Sequence, residues 1–237
     1  MSYKEINIPV GKQYIKCKEF EPIGISKKTQ LVVVHGWTSS DKKYLPLGDK
    51  LANIGIEVLV VNLRGHTNSP YNLRDFSRSQ HEEDVVAAIK YSKKQHPDLT
   101  TALLGKSYGG YLSSIVAERE GVGVLILSQP ALYPDREYDV PTKKLIDRDP
   151  NIFKQSRETP ETNKALKGFS RFSGAVLFIE SENDEEVPRA TTRNYLKYSN
   201  NQTTSVVLSS ADHSLSQEHW REDFYKEVAD WLTEIGN

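Results

Sequence analysis

The chain has few of the residues that mark several common classes of protein. Cys17 is the one cysteine among 237 residues, which excludes an internal disulfide and a metal–thiolate cluster, and we expect it to be a structural thiol. No apolar run approaches the ~20 residues that cross a membrane as a helix. Residues 1–9 hold no apolar segment of a secretory signal. The sequence therefore predicts a cytoplasmic protein without a membrane span.

The chain also lacks an excess of charge of either sign. Its 31 Lys and Arg residues nearly balance 32 Asp and Glu residues, for a formal charge of −1. This balance offers no basic surface for nucleic acid or an anionic membrane. The histidines lack the spacing of metal ligands, and the acidic run 180–186 lacks the glycine and alternation of an EF-hand loop. We expect no nucleic-acid partner, no metal and no cofactor.

What is present is an alternation of buried strands and helices. Continuous β-branched runs such as Leu31-Val32-Val33-Val34 are typical of strands that helices cover on both faces. Alternating strands and helices predict an α/β protein with a mostly parallel sheet of about eight strands. The predicted strands are 31–34, 56–62, 100–105, 122–128, 175–180 and 205–208, after an antiparallel hairpin of residues 3–8 and 13–17.

The length fits a single domain over residues 1–237. A polar, proline-containing segment at about 129–174 separates two predicted strands, and we expect it to form a small cap over the sheet. Its aromatic residues are predicted either to form pocket walls or to pack the cap: Tyr133, Tyr138, Phe153, Phe169 and Phe172.

The chain is organised around Gly105-Lys106-Ser107-Tyr108-Gly109. This motif follows a short apolar strand and opens a helix, as a G-x-S-x-G nucleophile elbow does. Its glycines lack the Cβ atoms that would collide with the neighbouring strand and helix, so the serine is held in strained backbone with its hydroxyl exposed. Ser107 is the predicted nucleophile, and the N–H of Tyr108 is a predicted oxyanion donor. The alternative is an ordinary strand-to-helix turn.

An acid and a histidine follow the serine at the ends of two later strands. A serine hydroxyl is a weak nucleophile that needs a histidine base, and the base needs an acid to fix its tautomer. Asp184 precedes Val187-Pro188, and His213 follows the last predicted strand. Asp212 is the rival acid, but a carboxylate does not easily reach the imidazole of its chain neighbour from the correct side. The predicted triad is Ser107, Asp184 and His213.

The order serine, acid, histidine is that of the α/β-hydrolases, and the chain resembles this superfamily over nearly its whole length. His35-Gly36-Trp37 resembles the H-G-x segment after the third strand, which implies that Trp37 N–H is the second oxyanion donor. Arg64-Gly65-His66 resembles the R-G-H element after the fourth strand. Ser181 stands where the G-x-x-D-x-x-V-P pattern has glycine. The resemblance implies the α/β-hydrolase fold and a carboxylesterase-like serine hydrolase with a small cap.

Other polar residues near these motifs have plainer interpretations. We expect His35 and His66 to brace the oxyanion loops by hydrogen bonds. We expect Lys106 to lie at the pocket rim, where attraction of an anionic substrate is a lesser alternative. Three more histidines fall on predicted helices or their ends, where solvation or capping is expected: His81, His96 and His219.

The predicted activity is hydrolysis of a small-molecule carboxylic ester or thioester through an acyl-enzyme on Ser107, without a cofactor. The cap is short and charged, whereas a long acyl tunnel would need a more apolar lid, so the acyl chain is expected to be small to medium. A peptidase or amidase and a lactone hydrolase are alternatives on the same triad. The alternative from another class is a non-catalytic ligand-binding member of the fold.

Overall fold

The computed structural model of the protein describes residues 2–145 and 155–235, which form one eight-stranded sheet and its flanking helices. The predicted α/β class and the number of strands are confirmed. The strands are β1 (Lys4–Val10), β2 (Gln13–Phe20), β3 (Thr29–Val34), β4 (Glu57–Asn62), β5 (Thr100–Lys106), β6 (Val124–Ser128), β7 (Ala175–Asn183) and β8 (Thr203–Asp212). The α-helices within these ranges are α1 (Leu45–Asn53), α2 (Arg78–Gln95), α3 (Tyr108–Val116), α4 (Lys164–Arg171), α5 (Arg189–Lys197) and α6 (Glu218–Ile235).

The strand order is β1-β2-β4-β3-β5-β6-β7-β8. Strands β3 to β8 run parallel to their neighbours, while the β1–β2 hairpin turns at Gly11 and pairs with β4 in antiparallel register. The carboxyl ends of six strands therefore share one edge of the sheet. In open α/β sheets the loops of this edge carry the binding groups.

Each buried strand contributes to two cores, one on each face of the sheet. In β3, Val32 and Val34 pack in the core that includes residues of α2 and α3, whereas Leu31 and Val33 pack in the core that includes residues of α1 and α6. Burial on both faces explains why such a strand is a continuous apolar run. Cys17 is fully buried in the first core, and burial raises the pKa of its thiol, as expected of a structural residue.

The sequence predicts a helix that Asp41 caps and that continues through Leu45, Leu47 and Leu51 to about Asn53, but the α-helix begins later. Residues Asp41–Tyr44 form a 3₁₀ turn, and α1 starts at Leu45. Asp41 caps no helix, because it is buried and its carboxylate lies 3.6 Å from Lys18 Nζ on β2. Among the helices of the described ranges, none has both the length and the apolar character to cross a lipid bilayer.

The predicted cap, residues 129–174, lies between β6 and β7. Residues 146–154, with the predicted pocket wall Phe153, lie outside the described residues. Phe169 and Phe172 are buried in the core shared with α2 and α3. These two aromatic residues are therefore packing residues and not pocket walls.

Helix α4 joins the cap segment to the body by a close approach to α3. Its N-terminus is capped by Asn163, whose side chain accepts hydrogen bonds from two backbone N–H groups of the first turn. Gly168 faces α3 so closely that an added Cβ would lie within 3 Å of the carbonyl oxygen of Ser114. Only glycine fits this crossing without a shift of one helix.

We expect Gly168→Ala to lower the free energy of unfolding by about 1–3 kcal/mol, the usual cost of overpacking. Alanine favours a helix over glycine by about 1 kcal/mol, so a loss of stability can come only from the clash with Ser114. Urea unfolding followed by circular dichroism measures the change. Lys167→Ala, at an exposed position of the same helix, is the control and should stay within about 0.5 kcal/mol of the wild type. A stabilised Gly168→Ala protein would contradict this account.

Candidate active site

The motif at the end of β5 forms a strained turn. Ser107 has φ 52° and ψ −113°, a backbone conformation that residues with a side chain rarely adopt. Its N–H donates to Ser128 O at 2.9 Å, and its carbonyl accepts from Ala131 N–H at 3.1 Å. A Cβ on Gly105 would lie within 3 Å of Gly109 O. The strand and the following helix are therefore too close for any larger residue at this glycine.

Pairing between β7 and β8 brings the predicted acid and histidine together. The last residues paired in this parallel ladder are Asn183 and Asp212, so the residues that follow, Asp184 and His213, leave the sheet side by side. His213 Nδ1 lies 2.7 Å from Asp184 Oδ2, and both side chains are 9% exposed.

Strand β8 is longer than predicted, and its additional residues bring the chain to His213. The sequence pattern ends it at Leu208, before two serines, but the strand continues to Asp212. Glu182 on β7 accepts the hydroxyl of Ser209 at 3.1 Å and the N–H of Ser210 at 2.7 Å. Ser210 has φ 58°, and the register shifts near this point. A bulge tied to the neighbouring strand thus redirects the chain towards the histidine.

Asp184, and not its rival, contacts the imidazole. Asp184 Oδ1 accepts the N–H groups of Glu186 at 2.9 Å and Val187 at 2.8 Å, which leaves Oδ2 for His213 Nδ1. The carboxylate of Asp212 instead accepts the N–H of Ser216 at 2.9 Å and also its hydroxyl. Because Nδ1 donates to Asp184, Nε2 carries the lone pair of the neutral ring.

Ser107 and His213 line one open cavity of about 350 Å³, together with Trp37, Tyr133 and Glu186. Within the described residues, the Ser107 hydroxyl makes no hydrogen bond, and His213 Nε2 lies 3.7 Å from Glu186 Oε2. Catalytic hydrogen bonds in substrate-free sites are often long and tighten when substrate binds. The cavity therefore offers a hydroxyl and a basic nitrogen to one bound molecule.

The two predicted oxyanion donors lie next to Ser107. Neither Trp37 N–H nor Tyr108 N–H has an acceptor in the part of the chain that the structure describes. Tyr108 is the first residue of α3, where a helix leaves its N–H groups unpaired. Trp37 follows Gly36, on which a Cβ would lie 3.4 Å from Ser107 Cβ. The loop after β3 and the turn after β5 are thus in contact.

His81 is not solvated, contrary to expectation. It is fully buried, with Nε2 2.9 Å from Arg64 O and Nδ1 2.8 Å from Tyr108 Oη. A carbonyl only accepts, so His81 Nε2 carries the hydrogen and the Tyr108 hydroxyl donates to Nδ1. Burial lowers the pKa of His81 to about 3. The sequence contains an indication that His81 is buried, because His81 shares helical spacing with the buried residues Asp84 and Val85.

His35 braces the loop after β3 by hydrogen bonds, as expected, whereas His66 contacts that loop by ring packing and its Nε2 has no hydrogen-bond partner among the described residues. His35 Nδ1 lies 2.8 Å from Gly36 O, and its Nε2 accepts Leu63 N–H at 3.2 Å. The His66 ring packs 4.9 Å from that of His35 and 5.3 Å from that of Trp37, measured between centroids. Burial lowers the pKa of both imidazoles, that of His66 to about 2. Neutral rings therefore connect the loops after β3 and β4.

A buried ion pair ties the loop after β4 to α2. Arg64 Nε donates to Asp84 Oδ1 at 2.5 Å, and Arg64 N–H donates to Asp84 Oδ2 at 2.9 Å. The same guanidinium donates to Gln13 Oε1 at 2.7 Å and to Glu83 Oε2 at 3.2 Å. Arg64 and Asp84 are both buried, whereas the Glu83 side chain is 62% exposed.

Asp84→Ala should lower the free energy of unfolding by about 3–5 kcal/mol, because it leaves the Arg64 guanidinium buried without its closest carboxylate. Glu83→Ala removes the exposed partner of the same arginine and should cost less than about 1 kcal/mol. Urea unfolding of both variants makes the comparison. Losses of equal size would show that burial does not set the strength of these pairs.

Lys106 lines the cavity, as predicted for a rim residue, but its ammonium is held inward. Lys106 Nζ donates to Gln129 Oε1, which also accepts the hydroxyl of Ser128. Gln129 Nε2 in turn donates to the hydroxyl of Ser181 at 2.7 Å. Burial lowers the pKa of Lys106 to about 7, and the carboxylate of Asp184 opposes this shift.

We expect Lys106→Met to stabilise the protein most at about pH 7 and below, and progressively less towards pH 10. The folded-state pKa of Lys106, about 7, lies below its usual 10.5. Between these values the unfolded chain binds the additional proton, so wild-type stability rises with pH. Chemical unfolding across this range measures the difference. Lys106→Arg keeps its charge throughout and should lose the rise, and a wild type without any rise would contradict the inward position of the ammonium.

A family model described as serine aminopeptidase, S33, matches residues 25–166, more than half of the chain. The match includes Trp37, Ser107 and Tyr108, and it ends before Asp184 and His213. A search of curated proteins finds no match to the chain.

Solved structures are similar over nearly the whole length. The ferulic-acid complex of Est1E from Butyrivibrio proteoclasticus has 20% identity and a TM-score of 0.75, over 97% of this chain and 98% of that one. Dienelactone hydrolase from Anabaena variabilis ATCC 29413 has 16% identity and a TM-score of 0.74, over 98% and 97%. A monoacylglycerol lipase from Paleococcus ferrophilus has 20% identity and a TM-score of 0.71, over 93% and 98%. Identities this low show a shared fold.

The family match and the shared fold agree with the resemblance seen in the motifs. The family model includes the elbow at Ser107, and the structures extend the likeness to the strands that directly precede Asp184 and His213. The protein is a hydrolase of the α/β serine hydrolase superfamily, and the chain belongs to the serine aminopeptidase S33 family.

Proposed function

We propose that the protein hydrolyses a carboxylic ester or thioester through a triad of Ser107, His213 and Asp184. The observation that carries the proposal is the 2.7 Å contact of His213 Nδ1 with Asp184 Oδ2, made by a histidine that lines the same cavity as Ser107. Because Nδ1 contacts Asp184, the other ring nitrogen, Nε2, is the one that accepts the proton of Ser107 when a substrate is bound.

The reaction proceeds in two acyl transfers. Ser107 Oγ attacks the acyl carbonyl while His213 Nε2 takes its proton, which forms a C–O bond and a tetrahedral oxyanion. The bond to the leaving alcohol or thiol then breaks as His213 returns the proton to it. Water attacks the acyl-serine by the same route and releases the carboxylic acid, with the proton restored to Ser107. Asp184 keeps the tautomer and stabilises the imidazolium.

The N–H groups of Trp37 and Tyr108 stabilise the oxyanion in this proposal. Each donor of this kind contributes on the order of 3 kcal/mol to the transition state. The hydrogen bond between the Tyr108 hydroxyl and His81 supports this role, because it fixes the first residue of α3 against the loop of Arg64. A fixed donor loses little free energy to reorganisation when the charge develops.

The cavity supports a substrate of small to medium size. Its volume of about 350 Å³ lies near the lower end of small-molecule sites. The charged side chains of Lys43, Lys106 and Glu186 share its lining with the rings of Trp37 and Tyr133. We infer a polar or aromatic acyl group of modest length in preference to a long alkyl chain.

Three further proposals concern the domain organisation, the need for a cofactor and the location of the protein. We propose that residues 1–237 form one domain in which 129–174 act as the cap, because Ala131 and Tyr133 of this segment line the cavity. The mechanism requires no cofactor. We propose a cytoplasmic location, with which the single cysteine is consistent.

Hydrolysis of a peptide with a free amino terminus is the second candidate, and one contact favours it. Glu186 places a carboxylate oxygen 3.7 Å from His213 Nε2, inside the cavity lined by Ser107. A substrate ammonium would gain an ion pair at this position. The family description, serine aminopeptidase, agrees with this candidate.

The test is hydrolysis of p-nitrophenyl esters graded from acetate to palmitate, with aminoacyl p-nitroanilides measured alongside. We expect the highest kcat/KM on short and medium esters. Ser107→Ala and His213→Ala should each lower kcat/KM on the order of 10⁴-fold or more, because the nucleophile or its base is lost. Asp184→Asn should also cause a large loss.

Asp212→Asn is the matched control for the acid and should retain activity within a few-fold. Loss of activity in Asp212→Asn, with retention in Asp184→Asn, would overturn the assignment of the acid. Anilides cleaved faster than esters would favour the peptidase. A folded wild type that hydrolyses nothing and is not labelled at Ser107 by a fluorophosphonate would be a ligand-binding member of the fold.

A further inference from the structure

A second group of polar side chains lies at the opposite edge of the sheet from Ser107. Glu57 is the first residue of β4, Glu19 lies near the end of β2, and His96 follows the last residue of α2. One ligand atom from each, two carboxylate oxygens and an imidazole nitrogen, lie within 4.8 Å of one another.

The backbone positions of these three residues are fixed by secondary structure. Glu19 lies opposite Leu59 in the antiparallel β2–β4 ladder, two residues from Glu57, so the two glutamates share one face of the sheet. His96 precedes Pro97, which restricts its backbone. Its N–H donates to a carbonyl of the last turn of α2 at 3.0 Å, and its carbonyl accepts Gln30 Nε2 at 3.3 Å.

One carboxylate oxygen of Glu57 points into the group without a hydrogen bond. The residue is 5% exposed, and its Oε1 has no hydrogen-bond partner among the described residues. This oxygen lies 3.7 Å from His96 Nε2. A buried carboxylate oxygen without a donor is costly, and a cation between these atoms would remove that cost.

The charged side chains around Glu57 favour the binding of a cation. Glu19 and Glu21 both lie near enough to Glu57 for their carboxylates to act on it. The nearby Lys4 ammonium is bonded to Glu21. Glu19 accepts the hydroxyl of Tyr91 at 3.1 Å, a support typical of carboxylates that ligate metals. The His96 side chain is one-third exposed, so water has access for a further ligand position.

We propose that Glu19, Glu57 and His96 bind a divalent transition-metal ion of the Zn²⁺ type. One imidazole and two carboxylates, completed by water, suit Zn²⁺, which takes nitrogen and oxygen ligands in tetrahedral geometry. The 3.7 Å between the Glu57 and His96 ligand atoms is slightly longer than the edge of such a tetrahedron, which is about 3.4 Å for metal–ligand bonds of about 2.1 Å. The ion connects β2, β4 and the end of α2. Metal-binding motifs are defined by the spacing of ligands along the sequence. They do not predict this site, because its three ligands come from three separate elements.

The experiment titrates Zn²⁺ into the chelator-treated full-length protein and follows binding by calorimetry and by the midpoint of thermal unfolding. We expect one saturable site in the wild type, with a midpoint that rises as the site fills. His96→Ala and Glu19→Gln should each weaken binding about tenfold or more. Mg²⁺ should not replace Zn²⁺, because it keeps an octahedral shell rich in water.

Two controls separate this site from others. Glu21→Gln removes an adjacent acid outside the ligand set and should weaken Zn²⁺ binding far less than His96→Ala does. His213→Ala removes the imidazole of the candidate active site and should retain both the binding and the midpoint shift. The proposal is wrong if the wild type binds no Zn²⁺, if His96→Ala binds it normally, or if binding disappears in His213→Ala. None of these outcomes depends on ester hydrolysis, so the proposed function stands or fails separately.

Discussion

The crossing of β5, α3 and the end of β3 leaves no space for side chains, and the geometry of the cavity depends on it. A Cβ on Gly109 would lie within 3 Å of the carbonyl oxygens of Val34 and His35. Because α3 begins so close to the sheet, the chain must turn through one left-handed residue, Ser107, at a cost of about 1–3 kcal/mol. Ser107 donates its N–H to β6 and accepts an N–H from the chain after β6, and these two hydrogen bonds stabilise it. The hydroxyl, the following N–H and the loop after β3 therefore converge at one point.

Burial alone determines much of this fold, and that part could be predicted from the sequence. Continuous apolar runs gave correct positions for the central strands, since a strand covered on both faces has no polar alternation. The predictions failed where a side chain from a remote element satisfies the backbone or a charge. Glu182 extends β8 past Leu208, and Lys18 draws Asp41 away from a capping role. Such contacts cross between elements, and no local pattern contains them.

The candidate site shows the same division. The elbow needs only two glycines and a serine at fixed spacing, so the sequence predicts it directly. The choice between Asp184 and Asp212 depends on the register of β7 and β8, which places the residue after Asn183 beside the residue after Asp212. The hydrogen bond of His81 to Tyr108 depends on which face of α2 is buried. The helical spacing of the apolar residues predicts which face of α2 is buried. A histidine on that face is polar, however, and its residue type alone suggests exposure to solvent.

Buried charged side chains have different partners at the two edges of the sheet. At the carboxyl edge the guanidinium of Arg64 meets a buried carboxylate, and the pair holds the loop beside the cavity. At the amino edge Glu57 has neighbouring acids and no donor for one of its oxygens. The length of β4, six residues, separates these two sites. A cation at Glu57 would therefore act on the stability of β2, β4 and α2, while the chemistry proposed at Ser107 depends on contacts that the cation does not touch. The proposed metal binding and the proposed turnover are thus separable by experiment.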